Sequence, residues 1–358
     1  MFGCKGRRPY AALRACRSHY RKEHTDMIDL IKKYTSVFSV SGREKRLAET
    51  IAEDAGPYAD EISFDSMGNL TVFVRGADSS KKLMFAAHMD EIGFVVTYIE
   101  ENGFIRVSNI GGISPVASAY QRVIFENGVV GIMVLESGTA FADIAVKKLI
   151  VDIGARSRKE AEKKVKIGDC LAVMPELTRL SSGRYAAKAF DDRLACAVLS
   201  EVIRRGKKTA YDTYYVFTVQ EEVGCRGSKP AAYAIAPDYA IAVDVTATGD
   251  TVGAAPMAVK LGKGAAIKIK DSSVLCSALM VDALTGLAKE AGIPYQYEVL
   301  VSGGTDTSSM QTARAGAHAG AVSIPTRYIH SPVETVDIKD VRACADLLEA
   351  AAVKGIKG

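Results

Sequence analysis

Long apolar runs are absent from the sequence. None approaches the roughly 20 residues that a transmembrane helix needs, so we expect no membrane partner. Hydrophobic residues make up 48% of the 358 residues and charged residues 25%, a balance typical of soluble globular proteins. This length suits one large domain or two ordinary ones.

The sequence also has little net charge once its first residues are set aside. Residues 1–26 carry seven Lys or Arg against two acidic residues, a balance of +5. Subtracting these from the 46 basic and 42 acidic residues of the whole chain leaves 39 and 40, a balance of −1. Nucleic-acid-binding proteins usually carry a basic excess on the folded domain, so we expect no nucleic-acid partner. We predict either that Met27 is the natural start or that residues 1–26 form a disordered extension; an organellar targeting segment is the alternative.

Paired cysteines are missing. The seven cysteines are scattered singly, without a C-x-x-C pair, which argues against a disulfide framework and against a thiolate zinc site. The reducing cytoplasm is therefore the expected location. Cys196 and Cys344 fall on the apolar faces of predicted helices, where we expect them to be small core residues.

The sequence does contain a regular alternation of helices and short apolar strands. Continuous apolar runs at 83–87, 214–219 and 239–243 are typical of strands buried on both faces. The alternation predicts an α/β fold with a mainly parallel central sheet and helices on both faces. Ser41 and Glu44 have the spacing of a capping box at the start of one helix.

A stretch in the middle of the chain has a different pattern. Asn102-Gly103 and Asn127-Gly128 each lie between short β-prone runs, and Asn-Gly favours a type I′ hairpin turn. We therefore predict a small all-β domain at 94–186, inserted into an α/β domain formed by 27–93 and 187–358.

Several predicted strands are followed by residues that can bind a metal ion. These are His88, the pair Glu221 and Glu222, Asp244 and, a few residues after its strand, His330. In an open α/β sheet the carboxyl ends of the strands border one crevice, so these side chains are expected to converge. Imidazole and carboxylate together suit Zn²⁺, Co²⁺ or Mn²⁺.

Each of these residues also has an ordinary structural interpretation. A single histidine at a strand end is more often structural, and adjacent acids usually lie on a solvated surface. However, only three histidines follow residue 26, and Asp90 stands where its carboxylate can fix the ring of His88. We interpret His318, on an Ala/Gly-rich turn, as structural, and His88 and His330 as candidate ligands.

Five motifs follow one another along the chain. They are His88-Met-Asp-Glu-Ile-Gly93, Lys188-Ala-Phe-Asp-Asp-Arg193, Val219-Gln-Glu-Glu-Val-Gly224, Gly303-Gly-Thr-Asp306 and Pro325-Thr-Arg-Tyr-Ile-His330. In this order they resemble the motif set of the M42 family of metallo-aminopeptidases, which includes glutamyl and tetrahedral (TET) aminopeptidases. The resemblance extends from about Met27 to the C-terminus.

The resemblance implies a metal-dependent aminopeptidase with two divalent ions per subunit, Zn²⁺ or Co²⁺, with Mn²⁺ a further candidate. Asp191 would bridge the ions. His88 and Asp244 would complete one site, and Glu222 and His330 the other.

Two further residues acquire roles through the same resemblance. Asp90 would orient His88, and Glu221 would be the general base that takes a proton from a metal-activated water. Peptides would be the substrates, cleaved at the N-terminal residue. Residues 307–311 and 316–318 depart from the usual family pattern near the expected substrate pocket, so the preferred N-terminal residue does not follow.

The resemblance also implies an inserted β-barrel, or PDZ-like, domain that joins subunits into homo-oligomers, from dimers to dodecamers. Two alternatives remain at this point. One is a metal-independent glycoside hydrolase, because some relatives are labelled endoglucanases, although such chemistry uses two metal-free carboxylates. The other is a non-catalytic scaffold that shares the fold.

Overall fold

The computed structural model describes residues 27–357, so the extension predicted for 1–26 lies outside the described residues. Within this range no helix is both long and apolar enough to cross a membrane. The helices are α1 Met27–Ser36, α2 Lys45–Ala55, α3 Pro115–Ser118, α4 Arg158–Ala161, α5 Phe190–Arg204, α6 Ser228–Ile235, α7 Ala278–Ala291, α8 Thr307–Gln311 and α9 Ile338–Lys354.

The strands fall into two groups, a large sheet and a closed barrel. Those of the large sheet are β1 Glu61–Phe64, β2 Leu70–Val74, β3 Asp78–His88, β10 Thr178–Arg179, β11 Arg184–Ala187, β12 Tyr211–Thr218, β13 Tyr239–Thr246, β14 Ala265–Lys270, β15 Tyr295–Val299, β16 His318–Arg327 and β17 Glu334–Asp337. Those of the barrel are β4 Gly93–Ile99, β5 Ile105–Ile110, β6 Arg122–Phe125, β7 Val130–Leu135, β8 Leu149–Asp152 and β9 Cys170–Val173.

The large sheet has the order β1-β2-β12-β3-β13-β16-β17-β11-β10, with β14 and β15 joined to it through β16. Its central strands β12, β3, β13 and β16 are parallel, and the strands beyond them in this order pair antiparallel. Strand β14 pairs antiparallel with β16 and parallel with β15. The α/β prediction is confirmed, and the sheet is mixed.

Both faces of the central sheet are covered by helices, as predicted. Along β3 the side chains alternate: Leu83 and Phe85 join the core under α1, α2, α5 and α9, whereas Met84 and Ala86 pack on the opposite face with α6 and α8. A fully buried Leu or Phe side chain contributes roughly 1.5–3 kcal/mol to folding. Cys196 and Cys344 are fully buried, which confirms them as core residues.

The barrel has its own core and closes in the order β4-β5-β8-β7-β6-β9. It accounts for Gly93–Val173. The strands β10 and β11, which the predicted limits of 94–186 assign to the insert, instead pair with β17 of the large sheet. We propose that the inserted domain ends between Val173 and Thr178, and that 27–93 belongs with the C-terminal portion in the α/β domain.

Both Asn-Gly hairpins form, but the predicted type I′ turns are wrong. Gly103 and Gly128 have positive φ (89° and 88°), whereas the asparagines before them do not. Each glycine N–H donates to a carbonyl three residues back, Glu100 at 2.9 Å and Phe125 at 2.8 Å. This is the pattern of a longer hairpin loop that ends in a left-handed glycine, for which only one positive φ is needed.

The predicted capping box is also wrong. Helix α2 begins at Lys45 without a side-chain cap. The Ser41 hydroxyl donates to Asp90 Oδ2 at 2.7 Å, and Glu44 Oε1 accepts from the backbone N–H of Gly42 and of Gln220. Both side chains are therefore bonded to residues near the ends of β3 and β12 rather than to the helix terminus.

Candidate metal centre

The predicted site residues meet at the carboxyl edge of the parallel strands. His88 is the last residue of β3, Asp244 lies near the carboxyl end of β13, and Glu222 lies in the loop after β12. Asp191 is in the irregular first turn of α5, and His330 is in the turn between β16 and β17. Parallel pairing brings these strand ends to one side of the sheet, which is why sequence order alone could indicate a common site.

Asp191 lies between the two histidines. Its Oδ1 atom is 2.9 Å from His88 Nε2, and its Oδ2 atom is 3.3 Å from His330 Nε2. The two oxygens of one carboxylate thus face two imidazoles that come from opposite ends of the sequence.

The other two acids complete two groups of donors. Asp244 Oδ1 is 3.9 Å from His88 Nε2, and Glu222 Oε2 is 3.3 Å from His330 Nε2. Ligand atoms of His88, Asp191 and Asp244 lie within 4.8 Å of one another, and so do those of Asp191, Glu222 and His330. The structure therefore brings all five predicted ligand residues together, in two triads that share Asp191.

Asp90 contacts both His88 and the loop that carries the acids. Its Oδ1 is 3.4 Å from His88 Nδ1, and its backbone carbonyl is 3.1 Å from the same nitrogen. Its carboxylate accepts hydrogen bonds from the backbone N–H groups of Glu221 and Glu222, at 2.9 and 3.1 Å. One buried side chain thus holds the ring of His88 and the position of the two glutamates.

Acidic side chains outnumber basic ones in the centre. Burial would raise the pKa of Asp191, but hydrogen bonds with His330 and His88 hold it well below its usual range. Burial raises the pKa of Asp244, and the nearby Asp191 charge adds to this. Burial alone would lower the pKa of His330, but Asp191 and Glu222 raise it to about 11.

No Lys or Arg in the described part of the chain forms an ion pair with Asp191, Asp244, Glu221 or Glu222. Glu222 Oε1 is buried without a hydrogen-bond partner. Buried carboxylates normally have a partner, and a divalent cation is one that carboxylate and imidazole donors suit. The residues present therefore fit a centre for two cations.

Glu221 lies beside the triads and belongs to neither. Burial raises its pKa well above the usual range, and the nearby Asp244 and Asp306 charges add to that effect. Its Oε1 accepts a hydrogen bond from the Cys225 thiol at 3.1 Å. A carboxylate close to the metal ligands but outside both donor groups is in a suitable place to exchange a proton with a substrate.

Sequence reasoning missed Glu334, which lies four residues after His330. This side chain is 2% exposed, and it accepts the backbone N–H of Asp191 at 3.0 Å through Oε2 and that of His330 at 2.9 Å through Oε1. His330 has φ of 62°, unusual for a residue other than glycine, and Glu334 holds it there. Only its place next to the last motif could have drawn attention to it.

A second missed group holds the start of α5. Arg193 is fully buried, and it donates to the carbonyl of Tyr34 at 2.7 Å, to that of Val37 at 3.0 Å and to Glu91 Oε1 at 3.2 Å. Lys188 pairs with the other oxygen of Glu91. This ion-pair network fixes both ends of the motif that contains Asp191.

The barrel also borders the centre. A Cβ atom added to Gly112, in the loop after β5, would lie 3.0 Å from His330 Nδ1, and one on Gly111 would lie 3.3 Å from the Glu222 Cβ. His318, in contrast, lies at the start of β16, where its Nδ1 is 3.2 Å from the Ser277 hydroxyl. It takes no part in the centre, as the sequence suggested.

Comparison with known proteins gives a consistent result. The family model described as M42 glutamyl aminopeptidase matches residues 68–347. A protein from Acetivibrio thermocellus is 47% identical over 327 residues, covering 91% of this chain and 98% of the relative.

Among solved structures, an aminopeptidase of the archaeon Desulfurococcus kamchatkensis superposes with a TM-score of 0.89 at 38% identity, covering 93% of this chain and 98% of the other. The TET1 peptidase of Pyrococcus horikoshii superposes with a TM-score of 0.84 at 32% identity, covering 92% and 100%. The chain therefore belongs to the M42 family of aminopeptidases and is a peptide hydrolase.

Proposed function

We propose that the chain removes N-terminal residues from peptides with two divalent metal ions, one held by His88 and Asp244 and the other by Glu222 and His330, with Asp191 bridging them. The observation that carries this proposal is the sharing of Asp191, whose two oxygens face the two imidazoles at 2.9 and 3.3 Å. A shared carboxylate is what two neighbouring cations need to offset their repulsion.

The bound ions would act as Lewis acids that activate water and stabilise the charge developing on the peptide carbonyl. The remaining chemistry belongs to the chain. Glu221 would take a proton from the attacking water and return it to the leaving amine, a role supported by its raised pKa and its place beside the triads. Asp90 would keep both the imidazole of His88 and the backbone of Glu221 in place.

The donor set limits the metal but not the substrate. Two imidazoles and three carboxylates suit Zn²⁺ or Co²⁺, with Mn²⁺ as a third candidate. All five cysteines of the described range are free, which supports a reducing cytoplasm as the place of action.

We further propose that the chain forms homo-oligomers through its barrel. The relative from P. horikoshii assembles into a tetrahedron or a large octahedral shell. The barrel region here carries large apolar side chains in contact with solvent, namely Phe141 (82% exposed), Tyr120 (72%) and Ile167 (65%). Burial of such side chains on association is favourable, which makes these three residues candidate contacts between subunits. Light scattering after size exclusion tests this; a monomer at micromolar concentration would contradict it.

A substrate panel tests the enzymatic proposal. Aminoacyl p-nitroanilides of all side-chain classes are offered to protein loaded with Zn²⁺ or with Co²⁺. Release of p-nitroaniline is expected for at least one class, to be lost after chelation and restored by either ion. A metal-loaded protein that cleaves none of them, or one whose activity survives complete chelation, would overturn the proposal.

A further inference from the structure

A third group of potential ligands lies next to the two triads. Ligand atoms of Glu221, Cys225 and Asp306 lie within 4.8 Å of one another. Glu221 and Cys225 come from the loop after β12, whereas Asp306 directly precedes α8. The Cys225 Sγ atom is 3.1 Å from Glu221 Oε1, so a thiol and a carboxylate are already in contact.

One carboxylate oxygen of Asp306 has no hydrogen-bond partner within the described range. Asp306 is 3% exposed; its Oδ2 accepts a hydrogen bond from the Thr218 hydroxyl at 2.6 Å, but its Oδ1 is buried without a partner. The nearby Ser228 hydroxyl donates to the Cys225 carbonyl at 3.2 Å. A buried carboxylate oxygen without a donor is costly, and a cation would remove that cost.

The two acids of the group also lack a direct ion-pair partner. Within residues 27–357, neither Glu221 nor Asp306 forms an ion pair with Lys, Arg or His.

We propose that Glu221, Cys225 and Asp306 form a third cation site, selective for thiophilic divalent ions such as Zn²⁺ and Cd²⁺. Zinc binds sulfur at roughly 2.3 Å and oxygen at roughly 2.0–2.2 Å, so tetrahedral donors around it stand roughly 3.6 Å apart. The ligand atoms of Glu221, Cys225 and Asp306 lie within 4.8 Å of one another, so small side-chain rotations would bring them to this spacing. Binding releases the thiol proton to solvent, because the thiolate is the ligand.

The consequence is regulation by metal concentration. An ion in this site would occupy the carboxylate of Glu221, so excess metal would inhibit the enzyme; this step rests on the proposed role of Glu221 as general base. Ions that prefer oxygen donors, such as Mn²⁺, would bind here weakly because the thiolate is a soft ligand. Inhibition should therefore depend on the kind of ion and not only on its charge.

The binding test uses Cd²⁺ added to the full chain. We expect the ultraviolet charge-transfer band of a Cd–thiolate bond in the wild type and in Cys276→Ala, and its absence in Cys225→Ala. Cys276 is a matched control because it is also partly buried and lies outside the group. Because the two triads contain no sulfur, this result does not depend on whether they bind metal. Equal bands in wild type and Cys225→Ala, or none in wild type, would overturn the site.

The activity test measures inhibition by excess Zn²⁺ over enzyme already saturated with metal. The inhibition constant should rise at least about tenfold in Cys225→Ala, because even an outer-shell partner is worth roughly 10–100-fold in metal affinity. Cys276→Ala should respond as the wild type does. If Cys225→Ala does not fold, protection of Cys225 from alkylation by Cd²⁺, mapped by mass spectrometry in the wild type, decides the question; unprotected Cys225 would overturn the site. A Cd–thiolate band without inhibition would retain the site and reject Glu221 as base.

Discussion

Glu334 connects Asp191 to His330, because one oxygen of its carboxylate accepts the backbone N–H of Asp191 at 3.0 Å while the other accepts that of His330 at 2.9 Å. Replacing Glu334 by Ala should lower metal affinity roughly 10–100-fold, since loss of such a supporting contact frees both ligands. Glu334→Gln keeps one acceptor and should lose less. Competition with a chelating dye measures both affinities. Equal affinities in wild type and Glu334→Ala would show that the ligands hold their places without this contact.

The adjacent glutamates should differ in what they contribute. Glu221→Gln should reduce kcat by roughly 10²–10⁴-fold while two metal ions per subunit remain bound, because the amide cannot carry the proton. Glu222→Gln should instead lose the ion shared with His330. Elemental analysis and steady-state kinetics on the same samples distinguish them. Metal loss in Glu221→Gln would mean that base and ligand have been exchanged.

Chelation should lower thermal stability. The proposed ions would bind the folded chain only, and a ligand at 1,000 times its Kd stabilises by about 4.1 kcal/mol. Removing them also exposes the buried carboxylates of the centre to their mutual repulsion. Differential scanning fluorimetry with and without EDTA, at one protein concentration, should show a fall of several degrees. The fall should be smaller in Glu222→Gln, and an unchanged midpoint in the wild type would contradict the proposed centre.

Arg193 should be among the most sensitive residues of the fold. Arg193→Ala removes a buried donor from three backbone carbonyls and leaves Glu91 with Lys188 as its one cationic partner among the described residues. Breaking a buried ion pair from one side costs roughly 3–5 kcal/mol. Urea unfolding should show a loss in this range, whereas Arg46→Ala on the exposed side of α2 should change the free energy of unfolding little. Similar midpoints for the two variants would contradict the prediction.

The ion pair of Asp250 with Arg327 should contribute to stability at neutral pH and lose that contribution in acid. Two hydrogen bonds, at 3.0 and 2.7 Å, join the side chains and lower the pKa of Asp250 to about 2 against the opposing effect of burial. The unfolded chain takes up the proton first, near pH 4, so the contribution declines as pH falls from about 4 to 2. The difference in urea midpoint between wild type and Asp250→Asn should be smaller at pH 3 than at pH 7. A constant difference would show that the ion pair adds nothing.

The central sheet could be predicted from the sequence, and so could the convergence of the polar residues that follow its strands, because both depend on local patterns. The run at 83–87 is apolar and short, and the first polar residue after it, His88, must lie at the edge of the sheet. Parallel pairing then places the ends of β12, β13 and β16 beside it. The grouping of the ligands into two sets came from the resemblance, because spacing alone does not say which acid faces which histidine.

Predictions from short sequence patterns were wrong where a side chain bonds to a residue far away in the chain. Ser41 has the right spacing for a cap, but its hydroxyl bonds to Asp90, and Glu44 bonds to the loop after β12. The role of Glu334 depends on contacts with Asp191 and His330, of which the first is 143 residues away. No pattern within a short window contains such information. The predicted turn type at Asn102 is wrong for a different reason, because the loop is longer than the two residues of a type I′ turn.

The contact of Gly112 with His330 ties the barrel to the chemistry. A loop of the barrel lies against the imidazole of His330, where a Cβ atom on Gly112 would stand only 3.0 Å from Nδ1. A barrel taken from a relative would therefore have to keep this loop equally close-fitting. If the chain assembles through its barrel as proposed, a change in that assembly that moves this loop would also move the surroundings of His330, which links quaternary architecture to turnover.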